Sequence, residues 1–437
     1  MLLEEPVVET ATTQELGTAE LPGFLIEARA AARERFEASA VPRGKDERWR
    51  FANLAPYRFT EAPDWAPLPD VAAAVVAERS RGLAEVGGKA VFANGRGVIT
   101  PDLPEELKAK GVIWLPLDEA AARHPELLQR YFQVQGAPLG SERFADLHMA
   151  MGPVGTFLYV PKNVEITLPL EAWHWQVGAE GAVYPHTLIV AERHSKVTFL
   201  DYQRSLDPAA KGYAAAVTDL HVGEGAQVTY VAFQQWGSGV VAHQINSTEV
   251  GRDGAAKSLT VNLGAQAVRS EHFSRLTAAG GRSDMLCITT AEGSQTFDLR
   301  TLQEHQAPNT QSDLLYKNTL NGSSKTVFSG LIKVDPGAHG TDAYQTVRNL
   351  LLDENAEADS MPGLEILADE VKCSHGATTG QVDAEELFYM QARGIPADQA
   401  KRLVVGGFLQ EVAQRLDHEE IEAKIADLVA EHFYGLR

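Results

Sequence analysis

The segment VKCSHGATTG at 371–380 sets a thiol two residues from an imidazole. If it is extended, alternate side chains share a face, so Cys373 and His375 point to the same side of a sheet. A cation beside such a thiol lowers its pKa; the thiolate then accepts sulfur or binds soft and borderline metals such as iron, which a neutral imidazole also ligates. The same pair also reads as a cysteine packed in a β-core beside a hydrogen-bonded histidine. Cys287, between Leu286 and Ile288 in an apolar run, reads as core. The chain has 2 cysteines, so it cannot supply four thiolates; any iron–sulfur role needs ligands from another chain or from other side chains.

Other constellations carry less. FDLRTLQEHQAP brings Asp298, Arg300, Glu304 and His305 close together in sequence. Such groups serve acid–base catalysis along the groove of a β-solenoid polysaccharide lyase or hydrolase, or they are solvated or paired structurally. VGGKA at 86–90 is not a phosphate loop, because Ala90 follows Lys89 and Leu83 stands where the first glycine belongs. Gly95 and Gly97 in AVFANGRGVIT lack a third glycine, since Thr100 stands there, and read as a turn. The 13 histidines include no H-E-x-x-H and no zinc spacing with cysteine, and no G-x-S-x-G elbow supports a serine hydrolase.

The elements that must position these groups divide the chain in three. With 437 residues, 44% hydrophobic and 22% charged, most of it is long and apolar enough to fold into two or three units. The balance 39 − 59 = −20, with no basic run, opposes binding to nucleic acid. The start MLLEEPVVET has no cationic, apolar leader pattern, and no stretch of about 18 apolar residues occurs, so a cytosolic protein without membrane contact is expected. The first twenty residues read as a mobile terminus. Phe24, Leu25, Ala28, Ala32 and Phe36 predict an amphipathic helix over 22–38, ahead of the aromatic and charged cluster DERWRFANL. Strands at AVFAN (90–94) and GVIWLPL (111–117), with helices near 118–134 and 141–150, complete a mixed, helix-rich unit over 1–150.

From 151 to 382 short Val/Thr/Ile/Phe/Tyr runs alternate with Gly, Asn and Asp clusters at rung-like intervals without a fixed repeat, which predicts a mainly β solenoid or a large sandwich. Helical signals return over 383–437: Asp383 with Glu386 as a capping box, Asp398 after Pro396, and an apolar stripe of Ile421, Ile425, Leu428, Val429 and Phe433 that must be buried, either on its own domain or on a partner.

The blocks HQAPNTQSDLLYKNTL, SKTVFSGLIKV, TDAYQTVRNLLL, ADSMPGLEILADEVKCSHGATTGQVDAEELFYMQARGI and GFLQEV, with DERWRFANL near the start, carry a resemblance to the SufB/SufD family of iron–sulfur cluster assembly proteins. It covers most of the chain, and KCSHGATTG is similar to the SufD branch. Met390 stands where the SufB branch has the cysteine thought to receive sulfur, a role that a thioether cannot fill. The resemblance implies a central right-handed parallel β-helix between helical end domains, pairing with SufB through the β-helix cores, and docking of the ATPase SufC on the C-terminal helices. It implies no turnover by this chain and no stably held cofactor, with iron or a nascent cluster bound transiently by His375, and more weakly by Cys373, at the SufB interface. Phe388, Leu403, Phe408 and Leu409 are the candidate SufC-docking residues. Homodimerisation of the isolated chain and a flavin in the complex stay open. The alternatives are a solitary SufB-like scaffold, against which Met390 speaks, and a solenoid carbohydrate-active enzyme.

Overall fold

The computed structural model describes residues 21–59, 61–69, 72–132, 136–152 and 154–434. The expected mobile terminus at 1–20 lies outside them. From Val154 the chain winds as a parallel β-solenoid of about eight turns, alternating between two facing sheets. The first sheet runs in coil order from Val154–Val160 to its last strand, Glu357–Ile366; the second runs from Leu170–Gln176 to its last strand, Lys372–Gln381. Arg282 pairs with Gln311 and Lys325 with Glu357, so coils take 29 and 32 residues, which is why no fixed repeat shows in the sequence. The sandwich alternative is thereby excluded, because every pairing from Leu170 to Gln381 within the second sheet is parallel.

The fold begins before the first coil. Gly88–Ala93 pairs in parallel with Leu170–Gln176, and Ile113–Pro116 pairs antiparallel with Val154–Val160, so segments far upstream close one end of both sheets. Gly88–Ala93 turns back into Arg96–Ile99 through Asn94 and Gly95, both at positive φ (44° and 79°), the conformation a tight hairpin requires. The glycines of AVFANGRGVIT thus make a turn.

Burial along the coils shows what covers them. Arg282–Ala291 is buried at every position but its first, whereas Asp342–Leu351 alternates and Lys372–Gln381 is exposed almost throughout. The outer face of the second sheet is a ladder of large apolar groups: Trp173 stacks on Tyr202 at 3.9 Å between ring centroids, and Tyr202 on Phe233 at 4.7 Å. Helices Ala397–Gln414 and Glu419–Tyr434 lie across it through Val405, Leu409, Val412, Ile421, Ile425 and Leu428. The stripe on the last helix is therefore satisfied within the chain. Lys317, itself buried, pins the longer helix: its Nζ donates to the Phe408 carbonyl at 2.6 Å and to Glu411 at 2.5 Å, and sits 4.6 Å from the centre of the Phe408 ring.

On the first sheet the cover is N-terminal. Helix Gly23–Ala38 buries Leu25, Ala32 and Phe36, and Arg35 pairs with Asp146 on helix Glu142–Met151. The expected helix at 118–134 is two, Leu117–Arg123 and Pro125–Tyr131, because proline cannot supply the backbone N–H that would continue the first. DERWRFANL forms the turn Glu47–Trp49 and lands on the outer face of the coil, where the buried Arg269 guanidinium sits 4.1 Å from the Trp49 ring centre. Arg269 Nη2 donates to the carbonyls of Arg48 (2.9 Å) and Leu139 (2.8 Å), and Arg300 Nη2 donates to that of Arg50 (2.8 Å).

Candidate functional site at the open end of the coil

Asp298 and Arg300, one half of the acid–base cluster expected from FDLRTLQEHQAP, belong to this anchor. Asp298 accepts from Arg269 and from Arg300, while Glu271 accepts from Arg269 at 2.8 Å and from Ser141 at 2.7 Å. Glu304 pairs with Arg275 (3.0 Å) and Lys333 (2.8 Å), and His305 lies inside the coil between Thr310 (2.7 Å) and Ser312 (2.8 Å). The four residues split between two faces of one strand and do not converge on a substrate-sized space. Cys287 is fully buried beside Thr289 and Asn262, and burial pushes its thiol up to about 12, so it is core.

The chemistry that remains gathers where the solenoid stops. Among the described residues no strand pairs with the outer edge of Glu357–Ile366 or of Lys372–Gln381, so both sheets end there with backbone donors and acceptors facing outward. Cys373 and His375 stack on Ala343 and Gln345 of the preceding coil. Both partners are buried, and Asn349 Nδ2 donates to Thr379 Oγ1 at 3.1 Å, which fixes this row of side chains as inward-facing. With no further coil above it, the imidazole of His375 is nevertheless exposed. Across the mouth, Leu364, Ile366 and Leu367 are exposed apolar groups at the end of the facing strand and just beyond it.

The two candidate ligands are not equivalent. Cys373 is half-buried against Ile332, Val334, Ala338 and Ala343. Burial first, and then the Asp342 carboxylate, raise its pKa above the ordinary thiol value. The thiolate-favouring cation considered from sequence is not among the causes; Cys373 is a protonated thiol at neutral pH, and His375 is the accessible donor. Among the described residues no group of three His, Cys, Asp or Glu side chains is placed to hold a metal ion. Two protein ligands at most meet at this mouth, so a metal bound there is completed by groups from elsewhere.

The expected helical docking residues separate as well. Phe388 on helix Ala384–Gln391 is 72% exposed and Leu403 53%, with Tyr389 beside them at 58%. Phe408 is half-buried under Lys317, and Leu409, at 3%, packs on the sheet and is removed from any docking surface. The sequence carried this signal: Val405, Leu409, Val412 and Leu416 form an i, i+4, i+7, i+11 stripe from which Leu403 is absent. Asp383 caps the first of these helices, accepting from the Glu385 N–H at 2.7 Å, and Met390 is half-buried near its end.

Residues 174–408 match the family described as SUF system FeS cluster assembly, SufBD core domain, and residues 83–172 match the SufBD protein N-terminal region. The chain belongs to the SufB/SufD family of iron–sulfur cluster assembly proteins. Within that family it is 31% identical over 421 residues to the iron–sulfur cluster assembly protein SufD of Bacillus subtilis, covering 93% of this chain and 94% of that one. SufBD family proteins of Staphylococcus epidermidis and Staphylococcus aureus are 28% identical over 323 residues, 74% of this chain and 69% of theirs. The SufB/SufD core match begins within the second sheet's first strand, takes in the following coils, the open mouth and the first C-terminal helix, and ends within helix Ala397–Gln414.

Proposed function

We propose that this chain is the SufD-type subunit of an iron–sulfur assembly complex, a scaffold that does no turnover of its own. The observation that carries the reading is the uncapped end of the solenoid, where two unpaired strand edges, an apolar rim and the exposed His375 coincide. Backbone edges and an apolar rim favour a partner with a matching solenoid end, and a SufB-type chain supplies one. His375 then faces the seam and contributes one ligand to iron or a nascent cluster, which is cargo here; the thiolate comes from the partner, because Cys373 is held protonated and Met390 has no thiol. Phe388, Tyr389 and Leu403 form the exposed part of the surface on which a SufC-type ATPase docks. A cytoplasmic setting fits this role.

The test is co-expression with the SufB- and SufC-type proteins of the same source, purification through a tag on this chain, and determination of mass and subunit ratio. One SufB-type chain, one copy of this chain and two SufC-type chains are expected. Recovery of this chain by itself, with the others soluble, refutes the reading. In the assembled complex, His375→Ala is expected to keep folding and assembly, since the imidazole is exposed and its removal changes stability by about 0.5 kcal/mol or less, while lowering the yield of cluster. A normal yield would remove His375 from the mechanism.

A further inference from the structure

Beneath the open mouth the lumen holds a chain of amides whose polarity is fixed from one end. Gln303, on strand Thr296–His305, is buried, and its Nε2 donates to the Tyr344 carbonyl at 3.0 Å and to Ser312 Oγ at 2.7 Å. A backbone carbonyl only accepts, so the nitrogen of this amide is placed and its Oε1 is the end left for a neighbour. That neighbour is Gln345 on Asp342–Leu351, whose Nε2 donates to Gln303 Oε1 at 3.5 Å. Gly330, on the facing strand Lys325–Val334, leaves room for the second amide, because a Cβ there would collide with Gln345 Nε2.

The chain of donors stops at Gln345 Oε1, which has no partner. Gln345 is 1% exposed, so bulk water does not replace one, and a buried acceptor left unpaired is costly. Its nitrogen is turned back toward the preceding coil; the oxygen, on the opposite arm of a planar amide, is therefore turned toward the last coil. The donors on the inward row of that coil separate by position. Ser360 and Thr379 sit at Asn349, whose Nδ2 donates to them at 3.3 and 3.1 Å, about 13 Å further along the strand. Gln381 is farther still, in register with Leu351, and Cys373 packs with Ile332 and Val334. His375 is the residue in register with Gln345 on the open side, and its ring has no hydrogen-bond partner among the described residues.

From this polarity we infer that Gln345 is a positioning residue for His375: its Oε1 accepts one ring N–H and leaves the other ring nitrogen bare toward the mouth. The inference rests on the reading of His375 as a ligand for iron or a nascent cluster. An amide oxygen has no proton to give, so it admits only the tautomer that carries hydrogen on the nitrogen facing it. The outer nitrogen then holds the lone pair that a metal needs, and an exposed ring otherwise free to turn is kept in one orientation. Ligating histidines are fixed in this way by a carbonyl or carboxylate on the second nitrogen. The Tyr344 carbonyl thus sets, through Gln303 and Gln345, which nitrogen of His375 stays free.

The first test uses the full-length chain labelled with nitrogen-15 histidine, the His375 signals being assigned by their loss in His375→Ala. At about pH 8.5, above the ordinary imidazole range, one tautomer is expected in the wild type. Gln345→Met keeps the length of the side chain and removes the acceptor, and should give an averaging mixture of both tautomers. A mixture already present in the wild type overturns the hydrogen bond, and that spectrum needs no variant; a single tautomer that survives the substitution overturns it as well. The second test uses the complex assembled with SufB- and SufC-type proteins of the same source. Gln345→Met is expected to lower the cluster yield about tenfold, as His375→Ala does, and the double variant no further. A yield reduced by His375→Ala but normal with Gln345→Met overturns the positioning role alone, as do losses that multiply in the double variant. A normal yield with His375→Ala overturns the ligand reading itself, and the role of Gln345 with it.

Discussion

Four histidines are held neutral by this fold strongly enough to set its behaviour in acid. Burial lowers His148 to about 3, helped by the neighbouring His186, and lowers His272, His305 and His432 to about 4, from an ordinary 6.5. His174 and His243 are lowered by burial as well. Above the unfolded value all are neutral in both states, and their neutrality costs nothing. As pH falls below 6.5 the unfolded chain takes up protons that the native chain refuses, so stability is lost down to the folded values. At about pH 5 a histidine moved from 6.5 to about 4 forfeits roughly 2 kcal/mol, or about 8 kcal/mol for four. Glu271, Asp284 and Glu292, raised by burial, bind protons in the native state and return part of this. A net loss on the order of 5 kcal/mol from pH 7 to pH 5 is expected, comparable to the whole stability of many domains. Urea unfolding followed by tryptophan fluorescence across that interval should show the midpoint falling steadily below pH 6.5. His432→Gln, which removes one such group near the end of the last helix, should flatten the slope by about one proton. A midpoint that does not move between pH 7 and pH 5 would refute the reasoning.

Three substitutions test the packing. Arg269→Ala removes the cation shared by Glu271 and Asp298, leaving the buried Glu271 carboxylate without a cation while Asp298 keeps only Arg300; a loss of about 3–5 kcal/mol is expected by chemical denaturation, with protease cutting near the detached Trp49 segment. Gly330→Val places a side chain where a Cβ already meets Gln345 Nε2 at 2.2 Å and Thr301 Oγ1 at 2.6 Å, so overpacking of about 1–3 kcal/mol should appear as a lower melting temperature. Leu409→Ala should destabilise by about 2–5 kcal/mol, whereas Leu403→Ser should leave the melting curve within about 0.5 kcal/mol and, on the proposed function, weaken capture of a SufC-type ATPase in a pull-down.

The strand texture from 154 to 381 was legible because β-branched and aromatic runs between glycine and asparagine turns have few other uses. The parallel stacking of those strands was harder to read. Coils of unequal length give no period, and whether Asp298 meets Arg269, 29 residues earlier, depends on a register that only the closed solenoid defines. A run such as FDLRTLQEHQAP therefore looks like one cluster in sequence, while alternation along the strand sends Asp298 and Arg300 outward to Trp49 and its neighbours and His305 into the lumen. The same alternation made the placement of Cys373 and His375 on one face predictable. Their unequal exposure was not, since it follows from the absence of another coil.

The C-terminal helices that cover the second sheet have a consequence for how the chain is made. A solenoid closed at its N-terminal end can assemble coil by coil as it leaves the ribosome, each new strand finding the edge left by the one before. The outer ladder of Trp173, Tyr202, Phe233, Val261 and Ile288 is then finished long before residues 397–434, which shield it, have been synthesised. During that interval a broad apolar wall faces water. Nascent or truncated chains that stop before the last two helices should thus be good clients for holding chaperones, and premature termination should yield aggregates rather than a smaller working protein.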